Sequence, residues 1–353
     1  MTAVRRSTLV RSLALIVVCG IVLLIFTEFL SDYRNTQLAT GAYFFAVLAG
    51  LTVLAGQSGQ ISLGQGAFMA VGAYTVALLI GNEGWALLPA LVASVVVTLV
   101  VGVPVGAAGS RLSGPYLAGA TLAFAVGLPA LADRFPATFG GENGLTLNPP
   151  TPPSFLGASF DLFRWEAWIA CAGALVVLFV LYNLIHSGVG RSWRAVRDDE
   201  IAASLCGLRV GRLKALAFIV SAGCAGLAGG LLTAVVDQLA SPGAFPLQLS
   251  LFLLAGVVVG GLGSLGGAVW GAALLVFLPN WSNDLANSFS LSTNVSHNLP
   301  LAIYGVILIG AMLLWPSGIQ GGIRALSGLI RTRVAARRVA QVRTASEPES
   351  GPR

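Results

Sequence analysis

Apolar segments recur along the whole sequence, and most of them are about as long as a helix that crosses a lipid bilayer. Such a helix needs about 20 predominantly apolar residues, because the hydrocarbon core is about 30 Å thick. Only 10% of the 353 residues are charged, whereas a soluble domain has about 25% charged residues. We therefore predict an all-α, polytopic membrane protein with about ten transmembrane or re-entrant helices. The segments are residues 12–30, 37–56, 61–81, 85–109, 116–132, 165–186, 214–236, 247–262, 264–280 and 299–316.

Some of these segments have more than one interpretation. Segments 61–81, 247–262 and 264–280 are short or interrupted by glycine. Irregular backbone at membrane depth is tolerated where it is buried in protein or lines a water-filled cavity, so these three either cross the bilayer fully or are re-entrant. Segment 12–30 follows a basic tail, as in a signal peptide, but no small-x-small cleavage site follows it, and we predict a retained span.

The basic residues predict the orientation in the membrane. Sixteen of the twenty Lys and Arg residues lie in the tail 1–11, in the loop 187–213 with the adjoining Lys214, and in the tail 317–353. With ten spans all three fall on one side, and basic residues are enriched on the cytoplasmic side. We therefore predict a transmembrane domain over 12–316, both termini in the cytoplasm, and a C-terminal tail that is disordered at its end. The net charge of +6 reflects this distribution and does not indicate nucleic-acid binding.

The sequence carries no catalytic signature. Its single lysine, Lys214, is flanked by leucine and alanine, so the Gly-Lys-Ser/Thr of a nucleotide-binding P-loop is missing. HExxH and GxSxG motifs are also missing, and the four cysteines and two histidines are not spaced as metal ligands. We predict that the chain is not an enzyme and has no metal or cofactor. Any energy from nucleotide hydrolysis then comes from a partner.

Polar residues and glycines are concentrated in the stretch 56–66, between two apolar segments. It contains three glutamines, two serines and four glycines. Polar side chains at membrane depth are costly unless they face the protein interior or water. Glycine lets the backbone leave the helix and offer amides or carbonyls to a ligand. We predict a broken helix beside a substrate path; the alternative is a tight cytoplasmic turn that packs through glycine.

Two other stretches contain helix-breaking residues. Residues 260–267 are glycine-rich with little polar chemistry, which predicts close helix packing around a tight turn. The longest external segment, 133–164, contains the run Pro149-Pro150-Thr151-Pro152-Pro153. Proline blocks helix continuation, so this segment does not span the membrane. It is either a docking or gating loop or a plain connector, and the sequence leaves both open.

The predicted cytoplasmic stretch 190–207 contains a short amphipathic helix. Asp198 and Asp199 suit a helix start, because their side chains can cap its free amides and their charge matches its positive end. Gly207 can end the helix. The residues at i, i+4 and i+7 are Ile201, Leu205 and Leu208. They form one apolar stripe, which either inserts into a groove of a partner protein or lies on the lipid surface.

Several of these stretches resemble permeases of the branched-chain amino acid family of ABC importers. Ala55–Leu78, reading AGQSGQISLGQGAFMAVGAYTVAL, is similar to the family signature. Gly190–Ala217, reading GRSWRAVRDDEIAASLCGLRVGRLKALA, resembles the cytoplasmic coupling segment of one of the family's two paralogous permeases and is the most discriminating stretch. Other matching stretches are Ala255–Leu274, Gly114–Leu117 and Thr121–Phe124. The resemblance extends over about residues 37–316.

The resemblance implies a multi-pass permease subunit in the plasma membrane of a bacterium. Its implied partners are two cytosolic ATP-binding subunits, a paralogous second permease, an extracytoplasmic solute-binding protein and membrane lipid, and its implied cargo is branched-chain amino acids. The residues implied to couple to the ATPase are Arg194, Arg197, Asp198, Asp199, Glu200, Ala202, Ala203 and Gly207. The candidate residues of the substrate path are Gln57, Gly59, Gln60, Ser62, Gly64 and Gln65.

Alternative functions stay open at this point. Importers of urea and short amides share this permease architecture, so the exact cargo is undecided, as is homo- or heterodimeric pairing. A self-sufficient secondary transporter or channel usually needs an ionisable residue at membrane depth. Glu28 and Asp237 are candidates, but both lie near the predicted external end of a span. A membrane enzyme is the least supported alternative.

Overall fold

The computed structural model describes most of the chain up to residue 288. The described residues are 2–112, 114–153, 160–288 and 318–325, with 302–303, 305–306 and 309–310. The predicted tenth span, 299–316, lies almost wholly outside them, as does most of the predicted tail 317–353.

Long helices form the bulk of the described residues. They are α1 (Thr2–Glu28), α2 (Asp32–Leu51), α3 (Gln65–Gly81), α4 (Leu87–Gly109), α5 (Pro115–Arg134), α7 (Leu162–His186), α10 (Val210–Leu231), α11 (Leu247–Gly260) and α12 (Leu265–Ser288). Shorter helices are α6 (Pro136–Phe139), α8 (Gly188–Asp198) and α9 (Glu200–Leu205). Both α2 and α10 end in wider π-helical turns, Thr52–Gln57 and Leu232–Val236. Two short strands, β1 (Leu145–Thr146) and β2 (Leu239–Ala240), pair antiparallel with Leu145 opposite Ala240.

The helices agree with the predicted spans. Among the described residues, six helices are long and apolar enough to cross a membrane. The shorter apolar helices are Ser12–Glu28, Gln65–Gly81 and Leu265–Trp281. Together they lie at the first nine predicted segments, and the prediction of an all-α polytopic membrane protein is confirmed. Three segments are predicted either to cross the bilayer fully or to be re-entrant. Of these, 247–262 is long enough to cross when the preceding turn is included, as Pro242–Gly260.

The centre of the bundle is α10, which packs against α2, α3 and α4. Its backbone approaches that of α3 closely. An added Cβ at Gly72 would lie 2.0 Å from the carbonyl oxygen of Gly226, and one at Gly229 would lie 1.9 Å from that of Met69. Small residues let helix backbones touch, and this close packing drives helix association in lipid, where hydrophobic burial does not. Fewer than a third of the residues in the apolar parts of α4, α5 and α7 are buried within the bundle.

The connections gather at two ends of the bundle. One end, here called the basic end, is formed by residues 58–64, 187–209 and 261–264. Hydrogen bonds connect these parts. The side chain of Gln57, directly before residues 58–64, donates a hydrogen bond of 2.8 Å to the carbonyl of Gly263. The opposite end carries the β1–β2 pair and a 2.9 Å ion pair between Arg164 and Glu28. That the basic end faces the cytoplasm stays a prediction.

The glycine-rich stretch 260–267 connects α11 and α12 as a tight hairpin. Gly261 and Gly263 have φ angles of 121° and 84°, in the region that favours glycine. An added Cβ at Gly260 would lie 2.1 Å from the carbonyl oxygen of Gly267. The predicted close helix packing around a tight turn is therefore confirmed.

We expect Gly229→Ala to destabilise the folded protein, because the new methyl group would overlap the carbonyl of Met69 in the central crossing. Overpacking of this kind costs about 1–3 kcal/mol. The thermal unfolding midpoint of the purified chain in detergent measures it. Gly127→Ala is the matched control, since a Cβ at Gly127 of α5 meets no atom within 4 Å. Equal midpoints for the two variants would contradict the tight crossing.

Candidate functional site

The helical backbone is interrupted between α2 and α3. Residues 58–64, here called the interrupted segment, are not helical. The π-helical turn before them ends because Gly59 adopts a left-handed φ of 74°, a conformation that ends many helices. The amide of Gln60 then bonds back to the carbonyl of Leu54 at 3.1 Å. The segment is therefore non-helical, as both interpretations of the stretch 56–66 predict, and its place on a substrate path stays a prediction.

The glutamines around the interrupted segment are buried and point into the bundle. Gln57, Gln60 and Gln65 are each at most 4% exposed. The Gln60 side chain donates to the backbone carbonyl of Lys214 at 3.0 Å, and the Gln65 side chain donates to the hydroxyl of Ser221 at 3.1 Å. The Oε1 atoms of Gln60 and Gln65 are buried without a hydrogen-bond partner. The side chains of Gln60 and Gln65 therefore connect this part of the chain to α10, and the carbonyl oxygen of each accepts no hydrogen bond from the described residues.

Hydroxyl groups accept hydrogen bonds from backbone amides in and just after the interrupted segment. Thr121 of α5 accepts from the amide of Leu63 at 2.9 Å, and Ser250 of α11 accepts from the amide of Gly66 at 2.9 Å. The hydroxyl of Ser62 accepts from the amide of Gly64 at 3.2 Å. Neither Thr121 nor Ser250 was among the predicted site residues. The available signal was a lone hydroxyl residue within an apolar span.

The predicted cytoplasmic stretch contains two helices: the predicted short helix is α9, and α8 precedes it. Residues 188–207 are here called the docking segment. The base of α8 is fixed by Trp193, which is fully buried. Its indole nitrogen donates a 2.8 Å hydrogen bond to the carbonyl of Leu213 in the first turn of α10. Val196 is 1% exposed on the same face. The docking segment is therefore packed onto the bundle and does not hang from it as a free loop.

The two aspartates of the docking segment have different positions. Asp199 caps α9, since its side chain accepts from the amides of Ile201 at 2.9 Å and Ala202 at 3.0 Å. The prediction that Asp198 also suits this helix start is wrong. Asp198 is the last residue of α8 and forms a 2.9 Å ion pair with the adjacent Arg197, because the chain bends between the two aspartates.

The outer face of α9 presents apolar side chains to solvent. Ile201 is 74% exposed and Leu205 is 83% exposed. Ala203 faces the bundle and is 4% exposed, whereas Ala202 is exposed. The helix ends at Leu205, and Gly207 follows with a left-handed φ of 82°. The predicted stripe is thus exposed at two positions, and its third member, Leu208, lies beyond the helix end.

Charged side chains join the docking segment to the bundle. Arg197 donates to the carbonyl of Gly56 at 2.7 Å, and Arg194 donates to the Gln57 side chain at 3.3 Å. Lys214 of α10 forms an ion pair with Glu200 of α9. The structure therefore brings the two predicted groups of residues, the glutamine-rich stretch and the docking segment, into direct contact.

Two cavities lie elsewhere on the bundle. One, of 1210 Å³, is lined by α4, α7 and residues 147–151. The other, of 770 Å³, is lined mainly by α1, α2, α7 and α12. Neither is lined by the predicted path residues, whose glutamines are instead packed inside this chain.

Comparison with known proteins gives consistent matches. The family described as "Branched-chain amino acid transport system / permease component" matches residues 35–315. The high-affinity branched-chain amino acid transport system permease protein LivM of Salmonella typhimurium is 33% identical over 82% of this chain and 71% of its own length. LivM of Escherichia coli is 32% identical over 86% of this chain and 74% of its own length. The permease protein LivH of Escherichia coli is 25% identical over 84% of this chain and 96% of its own length. No solved structure gives a significant match.

We expect Trp193→Phe to loosen the docking segment while the bundle stays folded. Phenylalanine keeps most of the buried volume but leaves the Leu213 carbonyl without its indole donor, at a cost of about 1 kcal/mol. Limited proteolysis within 187–213 measures the effect as faster cleavage. Trp270→Phe is the control, because that indole bonds to Gln320 at an exposed position. Unchanged cleavage of the Trp193 variant would contradict the anchoring role.

Proposed function

The chain belongs to the family of branched-chain amino acid transport permeases, and on this premise we propose that ATP-binding partner subunits dock on α9 and drive transport through the helical bundle. As a member of that family it is a multi-pass permease subunit of an ABC importer in the bacterial inner membrane. The exposed apolar face of α9 carries the docking proposal. Ile201 and Leu205 are exposed on a helix that is itself fixed to the bundle. Exposed apolar side chains on such a helix can insert into a groove of a partner protein. The sequence has no P-loop of its own.

We further propose that the chain pairs with a paralogous second permease. It is similar both to LivM and to LivH of Escherichia coli, two permease proteins whose names assign them to a high-affinity branched-chain amino acid transport system. The identity is higher with LivM, at 32%, than with LivH, at 25%. This difference supports a heterodimer in which this chain takes the position of the LivM protein.

The opposite end of the bundle is proposed to receive an extracytoplasmic solute-binding protein. The external segment folds back there, because β1 pairs with β2 and the amide of Leu147 donates to the carbonyl of Gln238 at 2.8 Å. Tyr74 of α3 packs edge-on against Phe139 at a centroid distance of 5.2 Å. A segment fixed in this way supports a docking surface more than a plain connector.

The cargo is proposed to be leucine, isoleucine or valine. The names of the relatives support branched-chain amino acids over urea or short amides. A self-sufficient secondary transporter is less well supported, because Glu28 is paired with Arg164 at the opposite end. Asp237 lies just after the π-helical end of α10 and next to Gln238, which bonds to Leu147 at the same end of the bundle.

Cysteine labelling tests the orientation. Cys206 in the docking segment is exposed, whereas Cys171 and Cys224 are buried and Cys19 is partly buried. In a Cys19→Ser variant expressed without the ATP-binding subunits, we expect a membrane-impermeant maleimide to label Cys206 in inside-out vesicles and not in intact spheroplasts. A Cys206→Ser variant controls for labelling at other sites. Labelling in intact spheroplasts would place the docking segment outside the cell and overturn the proposal.

Substitution of Leu205 tests the docking face. We expect Leu205→Ser to reduce retention of the ATP-binding subunits and ATP-driven leucine uptake by about tenfold, because burying one leucine on association contributes about 1.5–3 kcal/mol. Phe29→Ser is the control, since Phe29 is equally exposed, at 83%, but lies at the opposite end.

The uptake assay also tests the cargo. It is run with proteoliposomes that hold the whole complex, and leucine is compared with urea. Equal retention for the Leu205 and Phe29 variants would contradict docking on α9. Urea uptake without leucine uptake would contradict the proposed cargo.

A further inference from the structure

Two arginines of the docking segment reach the end of the π-helical turn that follows α2. Arg197 donates to the carbonyl of Gly56 at 2.7 Å, and Arg194 donates to the side-chain oxygen of Gln57 at 3.3 Å. The last carbonyls of a helix lack intrahelical partners, and a cation is favourable at this end of the helix dipole. The arginines therefore bind the helix at the point where it breaks.

The Arg197 side chain also lies against the interrupted segment itself. An added Cβ at Gly59 would lie 2.9 Å from Cγ of Arg197. Arg197 thus contacts Gly56, two residues before the interrupted segment, and Gly59, whose left-handed conformation ends the helix. The remaining contact of the guanidinium is Asp198, its exposed neighbour on α8.

Gln57 connects the end of the π-helical turn to the turn between α11 and α12. Its side-chain nitrogen donates to the carbonyl of Gly263 in the α11–α12 turn at 2.8 Å. The backbones touch at the same place, since an added Cβ at Gly56 would lie 2.2 Å from the amide nitrogen of Gly263. The end of the π-helical turn and the α11–α12 turn therefore form one unit, and the arginines hold that unit to α8.

The interrupted segment is also tied to the docking segment through Gln60 and Lys214. The ammonium group of Lys214 pairs with Glu200 of α9, and its backbone carbonyl accepts from Gln60 at 3.0 Å. The interrupted segment is thus held at Gly59 and Gln60 by residues that also hold the docking segment.

We propose that Arg197 is a positioning residue for transport, which together with Gln57 transmits displacement of the docking segment to the interrupted segment. The proposal rests on the proposed function, because the displacement comes from ATP-binding subunits docked on α9. Coupling between distant sites needs a physical chain of contacts, and Arg197 provides the contact between the docking helices and the break in the membrane helix. Without this contact, ATP hydrolysis moves the docking segment but transmits less of the displacement to the interrupted segment, through the remaining contacts made by Arg194 and Lys214.

The test measures leucine uptake and ATP hydrolysis in the same proteoliposomes, which contain the full complex with its ATP-binding subunits, second permease and binding protein. For Arg197→Ala we expect uptake per ATP hydrolysed to fall about tenfold, within the usual range of coupling free energies. ATP hydrolysis itself should stay close to the unmodified complex, because the face formed by Ile201 and Leu205 is intact. Arg212→Ala is the control, since it removes the same charge from an exposed position at the basic end.

Two further variants make the result specific to this contact. Arg197→Lys keeps the charge but loses the planar guanidinium, and we expect an intermediate ratio of uptake to hydrolysis. If Arg197 and Gln57 act in one unit, the double variant Arg197→Ala with Gln57→Ala should fall no further than the larger single loss.

Three outcomes would overturn the inference. They are a ratio for Arg197→Ala equal to that for Arg212→Ala, a parallel fall of uptake and hydrolysis in both Arg197 variants, and additive losses in the double variant. Failure of the proposed function is distinguishable, because the unmodified complex would then show no ATP-dependent uptake at all.

Discussion

The structure depends on which groups hydrogen-bond the backbone where a helix is interrupted inside a membrane protein. Backbone groups have no water to bond to at membrane depth, so irregular backbone survives only where protein supplies its partners. Here Thr121 accepts a hydrogen bond from the amide of Leu63 within the interrupted segment, and Ser250 accepts one from the amide of Gly66 just after it. Arg197 donates to a carbonyl just before the segment. The partners come from three different helices. Any rearrangement of those helices therefore changes the environment of the interrupted segment.

The central position of α10 follows from the same requirement. Its glycines let α3 approach to backbone contact, and this brings Gln65 within 3.1 Å of Ser221. The first turn of α10 also receives the indole of Trp193 at the carbonyl of Leu213. One helix thus supports the interrupted segment within the bundle and the docking segment at its end, which explains why the two lie side by side.

Local patterns in the sequence predicted the local features of the structure. Length and hydropathy located nine helices, and the glycines and glutamines of 56–66 indicated the break between α2 and α3. The assignment of Asp198 to the start of α9 was wrong because sequence spacing does not show where a chain bends. Long-range pairs were not predictable from one sequence. Arg197 and Gly56 are 141 positions apart, and Gln57 and Gly263 are 206 apart, so no periodicity connects them.

On the proposed function, a partner that docks on α9 needs a rigidly held helix more than it needs a large interface. A partner can shift a conformational equilibrium only by the difference in its binding free energy between the two states. That difference reaches the membrane helices only if the docking helices move with them. Trp193 is fully buried, and Lys214, the single lysine of the chain, pairs with Glu200. The exposed face of α9 is small, but α9 is attached to the bundle through α8, α10 and the end of α2. On the proposed function, even a modest interface there would act on the interrupted segment.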